Sequence, residues 1–166
     1  MILSIQLFLL LFRKMNEINH IFTEGTSKTP QVDFNRHSGD LILSGRSIPE
    51  NAAKIYEPLL LWINEYIKSP RRVTNFRLNM EYFNSATTIW LAKLVKALGK
   101  IEKPDSMLYL HVYIDMEDYA DMDEEDVKQT IGSLIDNLSE VKVSVSIKLY
   151  GTDSSGKIIK ESTILI

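Results

Sequence analysis

The chain contains no cysteine. Disulfides, thiol nucleophiles and zinc–thiolate centres are therefore excluded, which agrees with a cytoplasmic setting. It also lacks a strong charge of either sign, with a formal net charge of −3 over 166 residues. A nucleic-acid interface needs a basic face. The compact basic cluster of the body, Lys68, Arg71 and Arg72, falls in a loop. There is no internal repeat and no low-complexity segment. No apolar run reaches the roughly 20 residues of a bilayer-spanning helix. The nearest approach is MILSIQLFLLLFRK at residues 1–14. Its basic pair follows the apolar stretch and no small-residue cleavage site comes after it, so it does not read as a secretory signal. Residues 1–14 read as a non-native or disordered upstream extension, with a membrane-touching helix as the alternative. Residues 15–166 read as one domain.

Catalytic signatures are missing as well. There is no phosphate-cradling P-loop, GxGxxG or GxSxG,. His20, His37 and His111 are far apart, and none has a metal-ligating neighbour one helical turn away. His111 reads as a structural residue on the outer face of a strand. The acidic passage from Asp115 to Asp126 lacks the glycine of a calcium loop,. It reads as a solvated loop and helix start, with an acidic docking surface or a metal-dependent small enzyme as rivals. No cofactor and no metal site is expected.

What is present is a change of period. Phe76, Leu78, Met80 and Tyr82 alternate with polar residues, as in a half-buried strand,. Trp90, Leu91, Leu94, Val95 and Leu98 then recur at helical spacing, and Gly99 is a stop,. The junction Phe83-Asn84-Ser85-Ala86-Thr87-Thr88 places three hydroxyls at a helix N-terminus. Free amides and the positive end of the helix dipole favour an anion there. The hydroxyls read either as ordinary helix caps or as a switch.

Elsewhere, Val32 and Phe34 mark a strand, Gly39-Asp40 a turn, and Leu41 to Leu43 a second strand. Asn51 caps a helix with Ile55, Leu59, Ile63 and Tyr66 or Ile67 on its core face. Pro58 inside it predicts a kink or a late start. Leu108 to Ile114 form a strand, Val127 to Leu138 a third helix, and Val141 to Leu149 the cleanest alternation in the chain. Residues 157–165 are a possible hairpin partner. The strands are two-sided, unlike those of a doubly covered sheet. The expected architecture is α/β: a single mixed sheet of four to six strands with three helices on one face.

Three phrases resemble the SiaC family of bacterial regulatory phosphoproteins. They are Gly45-Arg46-Ser47-Ile48-Pro49-Glu50-Asn51-Ala52, Tyr56-Glu57-Pro58-Leu59 and Glu81-Tyr82-Phe83-Asn84-Ser85, with Thr29-Pro30 upstream. The likeness covers about residues 22 to 114 and leaves 115–166 divergent. It implies a fold like the STAS-type anti-sigma-factor antagonists, and a non-enzymatic protein that switches partners. In such proteins, the resemblance implies, a kinase phosphorylates the hydroxyl after Tyr-Phe-Asn and a metal-dependent phosphatase removes the phosphate. The unphosphorylated form is then expected to bind and regulate an output protein such as a diguanylate cyclase. The implied acceptor is Ser85, with Thr87 second. Pro49, Glu50, Asn51, Tyr82, Phe83, Asn84, Ser85 and Thr88 are the implied docking residues. Members commonly carry threonine and then two serines at this place. Ser85-Ala86-Thr87 keeps the first hydroxyl and loses the next, so a scaffold module that is no longer phosphorylated is the alternative.

Overall fold

A computed structural model of the chain describes residues 5–7, 9–11, 20–117, 125, 131, 132, 134, 136–138 and 141–165. Its strands are β1 (His20–Thr23), β2 (Gln31–Asn35), β3 (Asp40–Ser47), β4 (Val73–Phe83), β5 (Met107–Asp115), β6 (Ser144–Thr152) and β7 (Ile158–Leu165). Two helices, α1 (Ala52–Tyr66) and α2 (Ser85–Leu98), follow β3 and β4. The strands lie in one sheet in chain order. β3 to β6 run parallel, while β1, β2 and β7 pair antiparallel at the two sides.

This order explains the one-sided helix layer. Each parallel crossover advances by one strand in the same direction, and crossovers are right-handed almost without exception. Successive crossover helices must then fall on the same face. The core agrees: Phe34, Leu41, Leu43, Phe76, Leu108 and Ile147 pack with Tyr56, Ile63, Leu91 and Leu98 in one cluster. Ile131, Leu134 and Leu138, from the expected third helix, belong to the same cluster. The rest of that helix and most of the acidic passage lie outside the described residues.

Local chemistry sets the boundaries. Asn51 caps α1 by accepting the Lys54 amide at 3.2 Å. Pro58 sits well inside α1, which starts at Ala52, so the late start is not seen. The missing amide of Pro58 leaves the Lys54 carbonyl without its usual intrahelical donor. Gly99 ends α2 with φ −59°, an ordinary right-handed value. Its lack of a side chain matters for space instead: a Cβ there would come within 2.8 Å of Val141 Cγ1. Gly45 does need its freedom, with φ +83°,. There the β3–β4 register slips, so that Gly45 faces Met80 but Arg46 faces Tyr82 and Ser47 faces Phe83.

The sheet has seven strands where four to six were expected. β7 is the hairpin partner of β6. β1 is the unforeseen strand, a four-residue edge whose sequence has too little apolar alternation to signal it. The bare face of the sheet is polar but not simply wet. His111 and Tyr150 are almost fully buried on it.

Candidate functional site

β3 and β4 are parallel neighbours, so the loop after Ser47 and the junction after Phe83 emerge side by side. The Asn84 amide donates to the Ser47 carbonyl at 3.1 Å, which ties the two exits together. Asn84 is extended and caps α2, its Oδ1 accepting the Thr87 amide at 3.0 Å. The Thr88 amide and hydroxyl both donate to the Asn84 carbonyl, at 3.1 and 3.3 Å. The amides of Ser85 and Ala86 have no hydrogen-bond partner among the described residues. They open outward at the positive end of the helix.

The three junction hydroxyls have different circumstances. Thr87 is fully buried. Its Oγ1 donates to the Ser47 carbonyl at 3.1 Å and lies 2.8 Å from Ser47 Oγ, which lies 2.7 Å from the Tyr56 hydroxyl. With each hydroxyl donating once, the sequence is Tyr56 to Ser47, Ser47 to Thr87, and Thr87 to the Ser47 carbonyl. Burial pushes the Tyr56 phenol pKa upward, against the pull of its hydroxyl partners, so Tyr56 stays protonated as donor. This chain joins β3, α1 and the start of α2. Thr88 is half-buried and committed to its own helix. Ser85 is exposed, at the first helical position. A phosphate on its Oγ would meet the open amides without disturbing the core.

Large apolar residues close to Ser85 in the chain are exposed. Tyr82, Phe83 and Ile89 are 56%, 41% and 59% exposed, and Ile89 shares the Ser85 groove,. The Arg46 guanidinium lies over the Tyr82 ring, 5.8 Å from its centroid. Along α2, Ser85, Thr88, Ile89, Ala92, Lys93 and Lys96 line an open groove of about 700 Å³, with Asp136 at its side. The Lys93 ammonium sits 4.2 Å from the centre of the Trp90 ring, which stacks on Tyr56.

The expected docking residues therefore divide. Tyr82, Phe83, Asn84, Ser85 and Thr88 gather at the junction. Pro49 is buried, Asn51 caps α1, and Glu50 pairs with Lys28 at 3.2 Å. These three line a different hollow of about 620 Å³ between α1 and the β1–β2 hairpin. The two hollows share no residue. Sequence reasoning missed Ile89 as an exposed contact and Ser47 and Tyr56 as the anchor of Thr87. Ile89 carried a signal, since it is a large apolar residue off the helical face that Leu91, Leu94, Val95 and Leu98 define. The Ser47–Tyr56–Thr87 chain carried none, because its members come from three separate elements.

The family model of the SiaC family regulatory phosphoproteins matches residues 23–140. The chain belongs to the SiaC family. The match runs through the acidic passage and leaves β6 and β7 outside it. Apo-SiaC from Pseudomonas aeruginosa has the same fold, at TM-score 0.59 and 17% identity, over 78% of this chain and 98% of that one. A second similar structure is that of the diguanylate cyclase SiaD in complex with its activator SiaC from Pseudomonas aeruginosa. It gives TM-score 0.61 and 18% identity over 78% of this chain and 99% of that one. No curated protein matches the sequence. Among the described residues, no helix is long and apolar enough to cross a membrane, and no cluster of His, Asp or Glu could hold a metal ion.

Proposed function

We propose that this chain is a non-enzymatic partner switch of the cytoplasm, with Ser85 as its phosphoacceptor. Unphosphorylated, it binds and regulates an output protein such as a diguanylate cyclase through the surface around the α2 N-terminus. A kinase adds phosphate to Ser85 and a metal-dependent phosphatase removes it. The observation that carries this reading is one exposed hydroxyl at a helix start, in a groove it shares with exposed Ile89 and close in sequence to exposed Tyr82 and Phe83. Thr87 drops behind Ser85 because its hydroxyl is sealed in the core.

The physics of the switch is local. Phosphate adds about −1.5 to −2 charges at pH 7. The open amides tolerate it within the domain. A partner seated over Ser85 would have to desolvate it, at a cost of several kcal/mol without a cationic counterpart. A coupling of about 3 kcal/mol already changes affinity more than a hundredfold. No refolding is required. Incubation with the cognate kinase and ATP, followed by peptide mass spectrometry, is the test. Phosphate is expected on Ser85. Absence of phosphate from residues 85–88 would overturn the reading in favour of a scaffold module without phosphorylation, and its appearance on Thr87 instead would overturn Ser85 as the acceptor.

A further inference from the structure

We infer that the outward stripe of α2 is a seat for an acidic amphipathic helix on the output partner. This deepens the partner-switch reading and rests on it for the identity of the site. The argument begins with charge. α2 has the sequence SATTIWLAKLVKAL, with no acidic residue, although the whole chain is net negative. Its exposed ionisable groups are Lys93 and Lys96. No ion pair joins either one among the described residues; Lys93 is held over Trp90. Asp136 at the side of the groove is its single described carboxylate.

Shape gives the second argument. Ser85, Ile89, Ala92 and Lys96 recur along the stripe at three- and four-residue steps, the spacing of one helical face,. Ile89 projects between the small side chains of Ser85 and Ala92. A partner helix can lay a ridge across such a face, with one large apolar side chain beside Ile89 and carboxylates over the two lysines. The stripe is about 16 Å long at 1.5 Å per residue, enough for three turns of a partner. Tyr82 and Phe83, the last strand residues before the helix, are exposed as well.

The charge assignment also explains how a phosphate at Ser85 would act. Its negative charge would stand at one end of a seat made for carboxylates. Like-charge juxtaposition would be added to the desolvation cost. A basic partner would instead be retained by the phosphate, and the switch would run backwards.

The test uses the full chain, labelled with ¹⁵N. It is titrated with two synthetic helical peptides of about 15 residues. Both carry the same leucine stripe; one is flanked by glutamates and the other by lysines. The expected result is amide shifts confined to the junction and α2, with at least about tenfold tighter binding of the glutamate peptide at low salt. The double variant Lys93→Glu, Lys96→Glu should reverse the preference. Equal binding of the two peptides, preference for the lysine peptide, shifts away from α2, or no binding would overturn the inference. The outcome is separable from that of the kinase experiment. A glutamate preference without Ser85 phosphorylation would leave this surface standing and remove the switch; phosphorylation with a lysine preference would do the opposite.

Discussion

Ser85 and Thr87 are two residues apart and differ in nearly everything that matters. Ser85 is exposed, and Thr87 closes a buried hydroxyl chain with Ser47 and Tyr56. Substitution should separate the two roles. Ser85→Ala should change stability by no more than about 0.5 kcal/mol, as for ordinary surface positions, and should abolish phosphorylation. Thr87→Val should cost about 1–3 kcal/mol, because it leaves buried polar partners unsatisfied, and should leave Ser85 available to the kinase. Chemical denaturation of both variants, read beside their phosphate content, checks this directly. A destabilised Ser85→Ala protein would show that its hydroxyl serves the fold. The order Ser85 before Thr87 follows from the family resemblance, and the difference in burial between the two was not legible in the sequence. Burial of Thr87 depends on Ser47 and Tyr56, which lie in separate elements, and no local pattern announces such a meeting.

At the scale of elements, three neighbouring strands meet on the bare face of the sheet at His111. Its ring lies on β5 between β4 and β6. Nε2 lies 3.0 Å from Asn75 Oδ1, while Nδ1 lies 2.9 Å from the Tyr150 hydroxyl and 3.3 Å from an Arg77 nitrogen. Arg77 also reaches the Tyr113 hydroxyl at 3.3 Å, and Tyr113 and Tyr150 stack. Since Arg77 can only donate, Nδ1 is an acceptor and the proton sits on Nε2. Burial, followed by the charges of Arg77 and Lys148 and opposed by Asp40, lowers the His111 pKa to about 4. The unfolded ring titrates near 6.5. Between those values the unfolded chain binds more protons, so stability falls as pH drops from about 6.5 to about 4 and the effect saturates below. The loss from this group is roughly 3 kcal/mol at most. Urea unfolding between pH 7 and pH 5 should therefore show a slope that His111→Gln reduces. An identical slope in the variant would mean that other groups set the pH dependence. The strand placing His111 outward was legible from its alternation with Leu110 and Val112. Its burial was not, since the covering groups, Tyr150 and Arg77, come from other strands.

The whole molecule divides its labour between the two faces and one end of its sheet. The helix layer buries the core. Leu91, Leu94, Val95 and Leu98 of α2 alone are fully buried, each worth about 1.5–3 kcal/mol. α2 is thus held firmly by its inner side while its outer stripe remains open. The junction lies at the carboxyl ends of β3 and β4, where the Gly45 bulge sets Ser47 opposite Phe83. Most of this architecture could be read from periodicity, because the strands alternate cleanly and the helices carry their own caps. β1 could not be read, as its pairing with β2 rather than its own pattern makes it a strand. The separation of the Pro49–Asn51 loop from the Ser85 groove was equally hidden, because it depends on how α1 packs against the β1–β2 hairpin. The most direct measurement of the central claim is calorimetric titration of the proposed output partner, a diguanylate cyclase, with the chain in two forms, unmodified and phosphorylated at Ser85. The account predicts binding of the unmodified form and affinity weaker by about a hundredfold or more for the phosphorylated one. Equal affinity for the two forms would contradict it.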